Sequence, residues 1–462
     1  RTYPYFKLLP YPVEAEAERD AALQEILKQL YTALKAEDFS PGALHWTREL
    51  KGWMGLKFEI TRELRTRLVK LYYMLALAPG LDNSTAERFL SMFLVLTKKK
   101  HYLKPGQDVI LDWRPLWHEI KGLVLPDECA TYQSNRRKSP RHLPRFAMQA
   151  ALYFDPRERK AMFEEILPYF STSEVSHAFI VAGALNALMP TTAAPEGEGE
   201  LQPKDYLPTF FHLWSLVARS KVFDIHFIDL FSRLARDSLS CKHLPWSEYG
   251  VFEKDQSNHI FTAILRLTEI PVGQASSPYS DNIDLSSGTG VYLEKDRKKN
   301  PISYAIARWI VFSLSPACLE APESVLSNLE GLFESTETFF HPSNFGGWQT
   351  MLSQLTYHLV DFFVMRWNKE KSGELDTPPE RRLNNALKNR FVLCLKEVTF
   401  MGIFGKSGRA VNYYLSSLQG LAWLEPSIIL PGALQRFYPS LQGLVEVHRT
   451  TSSLRGLQMI AP

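Results

Sequence analysis

The sequence predicts an all-α fold, an irregular helical-repeat solenoid, and two observations carry that prediction. Apolar residues recur at the i, i+3, i+4, i+7 spacing that lines one face of a helix. Breakers bearing proline and glycine separate these stripes from one end of the 462-residue chain to the other. No stretch alternates apolar and polar residues for long enough to make a strand.

The stripes begin near Glu16. Leu23, Leu27, Leu30 and Leu34 form the first, then come Leu64, Leu68, Leu71 and Leu75, and after them Phe89, Leu90, Phe93 and Leu94. The pattern resumes in Phe210, Leu213, Trp214 and Val217, in Phe227, Leu230, Phe231 and Leu234, and in Leu329, Leu332 and Phe333. Between them stand Ser40-Pro41-Gly42, Pro79-Gly80, Pro105-Gly106, Pro271-Val272-Gly273, Pro378-Pro379 and Pro431-Gly432. Proline opens or forbids a helix and glycine closes one, so each breaker is expected to mark a helix end.

Helix pairs of about 35 to 50 residues follow one another, close to the roughly 40 to 47 of HEAT and armadillo repeats, whose amphipathic pairs bury their apolar faces only on their neighbours. A HEAT/armadillo-like array over residues 1–462 is therefore expected. Three segments interrupt it and read as mobile surface loops: a basic one near 133–144, a Pro/Gly/Ala/Glu-rich one near 191–203, and a Ser/Asp/Gly-rich one near 273–300.

Hydrophobic residues make up 45% of the chain, enough for a sizeable core and too much for wholesale disorder. Lys plus Arg number 53 against 50 Asp plus Glu, leaving +3. That balance lacks the one-signed field with which general nucleic-acid binders neutralise phosphates, so no direct nucleic-acid binding is expected. Cys129, Cys241, Cys318 and Cys394 are widely separated, with no C-x-x-C pair, which points to reduced, mostly buried thiols in a reducing compartment. No run of about 18 apolar residues suggests a membrane span. The start at Arg1 has no signal-peptide layout and reads as part of a longer protein.

Spacing-defined chemistry is absent. Gly402-Ile403-Phe404-Gly405-Lys406-Ser407 has two residues between its glycines where a phosphate-binding loop needs four, so it reads as a turn whose Ser407 caps the next helix. The twelve histidines form no H-E-x-x-H, and His118-Glu119 lacks a second histidine. No G-x-S-x-G elbow or catalytic cysteine context occurs. Neither a catalytic residue nor a metal ligand is assigned, and no enzyme activity or required cofactor is expected. Lys98-Lys99-Lys100 with Lys104 fits a helix C-terminus, where cations offset the macrodipole.

Several stretches in order resemble the large HEAT-repeat proteasome activators of animals and fungi. They are Tyr5-Phe6-Lys7-Leu8-Leu9-Pro10-Tyr11, Asp112-Trp113-Arg114-Pro115-Leu116, Leu230-Phe231-Ser232-Arg233-Leu234-Ala235-Arg236-Asp237 and Ile270-Pro271-Val272-Gly273. Phe340-His341-Pro342-Ser343-Asn344-Phe345-Gly346-Gly347-Trp348, Phe404-Gly405-Lys406-Ser407-Gly408 and Arg436-Phe437-Tyr438-Pro439-Ser440-Leu441 complete the set.

The resemblance implies an amino-terminal portion of an ATP-independent activator, nuclear and cytoplasmic and tied to protein degradation and DNA repair, whose solenoid forms a dome over the α subunits of the 20S proteasome. It implies a C-terminal hydrophobic-aromatic-any anchor that Met459-Ile460-Ala461-Pro462 does not match, and an acetylated-histone-reading region downstream of this portion. It also implies inositol polyphosphates held by basic side chains. From charge alone the candidate polyanion patch is Arg136, Arg137, Lys138 and Arg141. A HEAT-repeat scaffold or nuclear transport receptor is the alternative, although such receptors carry a marked acidic balance to hold basic cargo.

Overall fold

A computed structural model describes residues 12–56, 60–98, 102–124, 143–192, 200–217, 221–240, 244, 246–268, 270, 302–342, 348–443 and 447–461. The chain is an all-α helical repeat. Among the described residues there are eighteen α-helices, no strand, and a few isolated β-bridges such as Leu111 with Phe154. Their contacts cluster into two compact units that divide near residues 190–202.

The first unit holds α1 (Pro12–Lys35), α2 (Leu44–Gly55), α3 (Arg62–Ala76), α4 (Asn83–Leu96), α5 (Arg114–Val124), α6 (Leu143–Ala150), α7 (Arg159–Ile166) and α8 (Val175–Leu188). Here α2, α4, α6 and α8 pack in succession, while α1 packs on α2, α3 on α4, and both α5 and α7 on α8. Polar caps start the helices. Thr61 Oγ1 accepts from the Leu64 N–H, and the Asp82 carboxylate takes the N–H groups of Ser84 and Thr85. Gly80 and Gly106 supply the left-handed φ angles, +76° and +74°, that turn the chain after α3 and before α5. Tyr73, Phe93, Phe146 and Phe154 interlock at the centre, with Tyr73 stacked on Phe146 at 5.7 Å.

The second unit holds α9 (Pro203–Leu216), α10 (Lys221–Ser238), α11 (Lys254–Leu267), α12 (Ile302–Ser313), α13 (Val325–Thr336), α14 (Trp348–Ser372), α15 (Asn385–Gly402), α16 (Gly408–Leu424), α17 (Pro426–Gly443) and α18 (Val447–Ile460). Two layers result. One stacks α10, α12, α14, α16 and α18, and the other stacks α11, α13, α15 and α17. This two-layer arrangement is what a helix-pair repeat requires, since each pair hides its apolar stripe on the next. Trp214, Phe227 and Phe231 fill the first pairs, and Phe363 stacks on Phe391 at 4.1 Å where α14 meets α15.

One breaker behaves differently from its sequence reading. Pro431-Gly432 lies inside α17, as does Pro439, and ends no helix. Gly432 serves instead as a contact: a Cβ there would press on the Phe400 ring of α15 at 2.9 Å. Most of the segment near 133–144, residues 193–199 of the one near 191–203, and the whole of 273–300 lie outside the described residues. Leu143 and Pro144 already belong to α6, and Pro203 opens α9.

Candidate interaction surface

Among the described residues no group of three or more His, Cys, Asp and Glu side chains gathers to hold a metal. No described helix is long and apolar enough to cross a membrane. Cys318 is buried, and burial pushes both its thiol and that of Cys394 upward, so neither is a ready thiolate. Cys129 and Cys241 lie outside the described residues. Ser407 Oγ accepts from the Ala410 N–H and caps α16, while Lys406 is exposed on the α15–α16 turn. That turn joins two helices, so it has no strand-to-helix cradle for phosphates.

The candidate polyanion patch, Arg136, Arg137, Lys138 and Arg141, also lies outside the described residues, as do Lys99 and Lys100. Several arginines that are described point inward. Arg366 and Arg381 are buried, and together they satisfy the C-terminal carbonyls of successive helices. Arg366 Nη1 donates to Val311 O at 2.6 Å and to Leu314 O at 2.9 Å, at the end of α12. Arg381 Nη1 donates to Ser238 O at 2.8 Å, the last residue of α10. In the first unit Arg65 reaches Leu96 O at the end of α4 in the same way.

Three of the motifs that suggested a family are joints. In Asp112-Trp113-Arg114, the Asp112 carbonyl accepts from Tyr73 Oη at 2.6 Å, and the Trp113 indole N–H donates to Glu158 Oε2 at 2.8 Å. Ser232 and Asp229 on α10 receive the buried Arg308 guanidinium of α12, with Arg308 Nη2 2.8 Å from Asp229 Oδ1. Arg436 bonds Glu397 at 2.6 Å and lies over the Phe400 ring, and Phe437 is buried beneath α18.

One open groove stands out in the second unit. Its volume is about 470 Å³, and it is lined from α14 by Tyr357, Val360, Asp361, Val364 and Asn368 and from α16 by Ser416, Gln419, Gly420 and Trp423. Both sets repeat at three and four residues, so each is a single helical face. Gln354 donates to Tyr413 Oη at 3.3 Å, and Val360 meets Gly420 at nearly the same sequence offset, so the two helices run in the same direction. A Cβ on Gly420 would fall inside the contact radius of Val360 Cγ1, and glycine there sets a low floor. Trp423 is 55% exposed on one wall. Burial raises the Asp361 carboxyl above its usual range, and burial, then the Asp361 charge, raises the Tyr357 phenol.

Sequence comparison gives a consistent set of relatives. Residues 329–462 match the family model described as proteasome activator complex subunit 4, mid HEAT repeats region, and residues 1–42 match proteasome-substrate-size regulator, N-terminal. The chain is 28% identical to proteasome activator complex subunit 4 of Homo sapiens over 97% of its own length and 23% of the relative's. It is 21% identical to proteasome activator subunit 4 of Arabidopsis thaliana over 97% of its length, and 24% identical to proteasome activator BLM10 of Saccharomyces cerevisiae over 89%. These matches cover 24% and 19% of the Arabidopsis and yeast proteins, so the chain spans about a quarter or less of the relatives' length.

Proposed function

We propose, from the premise that this chain belongs to the large HEAT-repeat proteasome activators and corresponds to their amino-terminal portion, that it is part of an ATP-independent activator of the 20S proteasome. It forms part of a dome over the α-ring and regulates which chains reach the interior. The observation that supports this most is similarity over 97% of the chain to proteins named as proteasome activators in animals and plants. The mechanism is steric and allosteric: helix pairs stacked in two layers make a wall, and a wall selects by size and by unfolding rather than by bond chemistry. The chain acts without catalysis and without a required cofactor, in nucleus and cytoplasm.

Inositol polyphosphates bind basic side chains of the dome in this reading, with Arg136, Arg137, Lys138 and Arg141 the candidates in this portion. Replacing these four with glutamate is expected to lower phytate affinity, and unchanged affinity removes them from the site. The reading as a whole is tested by co-sedimenting the full-length protein with purified 20S proteasome and following hydrolysis of fluorogenic peptides without ATP. Binding with stimulation is expected. A protein that neither binds nor stimulates is instead a HEAT-repeat scaffold or transport receptor.

A further inference from the structure

Several acidic side chains of the second unit are held by cations: Asp224 meets Arg266, Asp229 meets Arg308, Glu330 meets Arg390, Glu370 meets Arg366, and Glu425 meets Lys388. Asp361 has no hydrogen-bond or ion-pair partner among the described residues, and it lines the α14–α16 groove with its side chain open to solvent. Its carboxyl lies above the usual carboxylate range because the groove walls partly strip water from it and no counter-charge compensates.

The rest of the lining is complementary to one kind of guest. Among the described residues no lysine or arginine lines the groove, so a cation entering it meets no repulsion from these walls. Trp423 lines the groove with its indole half exposed, and an indole attracts a guanidinium or ammonium and can cover the methylene stem that carries it. Ser416, Gln419 and Asn368 are neutral donors and acceptors along the rim, the groups that a peptide backbone can use. A groove of about 470 Å³ accommodates one long side chain with a short length of main chain.

We propose that this groove binds a lysine or arginine side chain of an extended polypeptide, with Asp361 facing the cation, Trp423 covering its stem, and Gln419 and Asn368 bonding the peptide backbone. Parallel α14 and α16 suit such a guest, because Gly420 lets the two helices close on each other at Val360 and the groove above that contact is lined by residues along both. The site needs nothing outside this chain and does not depend on binding to the 20S particle.

The test labels the chain with 5-fluorotryptophan, identifies the Trp423 resonance through Trp423→Phe, and titrates N-acetyl-arginine amide, N-acetyl-lysine amide and N-acetyl-norleucine amide. The two cationic compounds are expected to shift the Trp423 resonance to saturation, and norleucine to bind at least tenfold more weakly. Asp361→Asn, whose fold is checked by circular dichroism, is expected to weaken arginine binding at least tenfold, and Asp361→Glu to retain most of it. Equal binding of norleucine, undiminished binding by Asp361→Asn, or a Trp423 resonance that none of the three moves overturns the proposal.

Discussion

Arg366 donates its Nε–H to Glu370 Oε1 at 2.8 Å, one turn along α14, and the two side chains are 0% and 3% exposed. The pair is embedded in further bonds: Arg366 serves the carbonyls of Val311, Leu314 and Arg381, and Glu370 Oε2 accepts from the Leu383 N–H at 2.9 Å. Its two charges are thus matched by hydrogen bonds as well as by each other, the condition under which burying an ion pair is tolerated.

Removing one charge should therefore be costly. Glu370→Gln is expected to destabilise the chain by about 3 kcal/mol, because Arg366 stays charged and buried without its counter-ion. Replacing both with apolar residues, Arg366→Met with Glu370→Leu, should cost less than the sum of the two single changes. Urea denaturation followed by circular dichroism measures all three, and a Glu370→Gln midpoint equal to that of the parent chain sinks the argument.

Gly420→Ala sets two effects against each other. Alanine favours the helix by about 1 kcal/mol over glycine. Pressing a methyl group onto Val360 costs about 1 to 3 kcal/mol. Packing wins, so a net loss of about 1 kcal/mol is expected, and Val360→Ala should rescue it in the double variant. Stabilisation by Gly420→Ala alone would mean that α14 and α16 move apart freely.

His226 on α10 is 5% exposed, and burial lowers its imidazole from the usual 6.5 to about 4. The folded chain thus refuses a proton that the unfolded chain accepts below pH ~6.5. The stability linked to His226 is whole above that pH and falls as the pH drops toward 4. Between pH 7 and pH 5 the loss from this residue should be on the order of 2 kcal/mol. His226→Leu should flatten that slope in denaturation curves taken across the range, and an unchanged slope would assign the acid sensitivity elsewhere.

Ser407→Ala should lower stability by about 1 kcal/mol through loss of the α16 cap. The same chain should retain no ATP on equilibrium dialysis, with or without magnesium. Nucleotide binding abolished by Ser407→Ala would restore the phosphate-loop reading that the helix–turn–helix geometry opposes.

The helices and their buried faces were legible because burial in a repeat is periodic: Leu68, Leu75, Phe89 and Phe93 are all hidden, as their spacing implies. The Ser407 cap was legible because a hydroxyl before an apolar stripe satisfies a local need. Pro431-Gly432 misled because the local rule for breakers was overridden by packing, with Gly432 giving Phe400 its place. In the sequence Arg366 stands close to Lys369, Glu370 and Lys371, and only the neighbouring helices show that it is a capping group. The groove was not legible at all, since Asp361 and Trp423 share it only through the parallel contact of two helices separated by α15. The basic residues Arg136, Arg137, Lys138 and Arg141 were the legible charge cluster, and they lie outside the described residues.

The arginine contacts also bear on how the second unit would respond to mechanical load. In a repeat held only by neighbour contacts, a chain drawn out by its ends would lengthen one helix pair at a time. Arg381 ties the segment after α14 to the end of α10, and Arg366 ties α14 to the end of α12. Three successive helices of one layer are thus pinned at the same end, and tension on one must be shared by all three. Stretched in optical tweezers, this part of the chain should resist and then release its length in one abrupt extension, rather than as a staircase of single pairs.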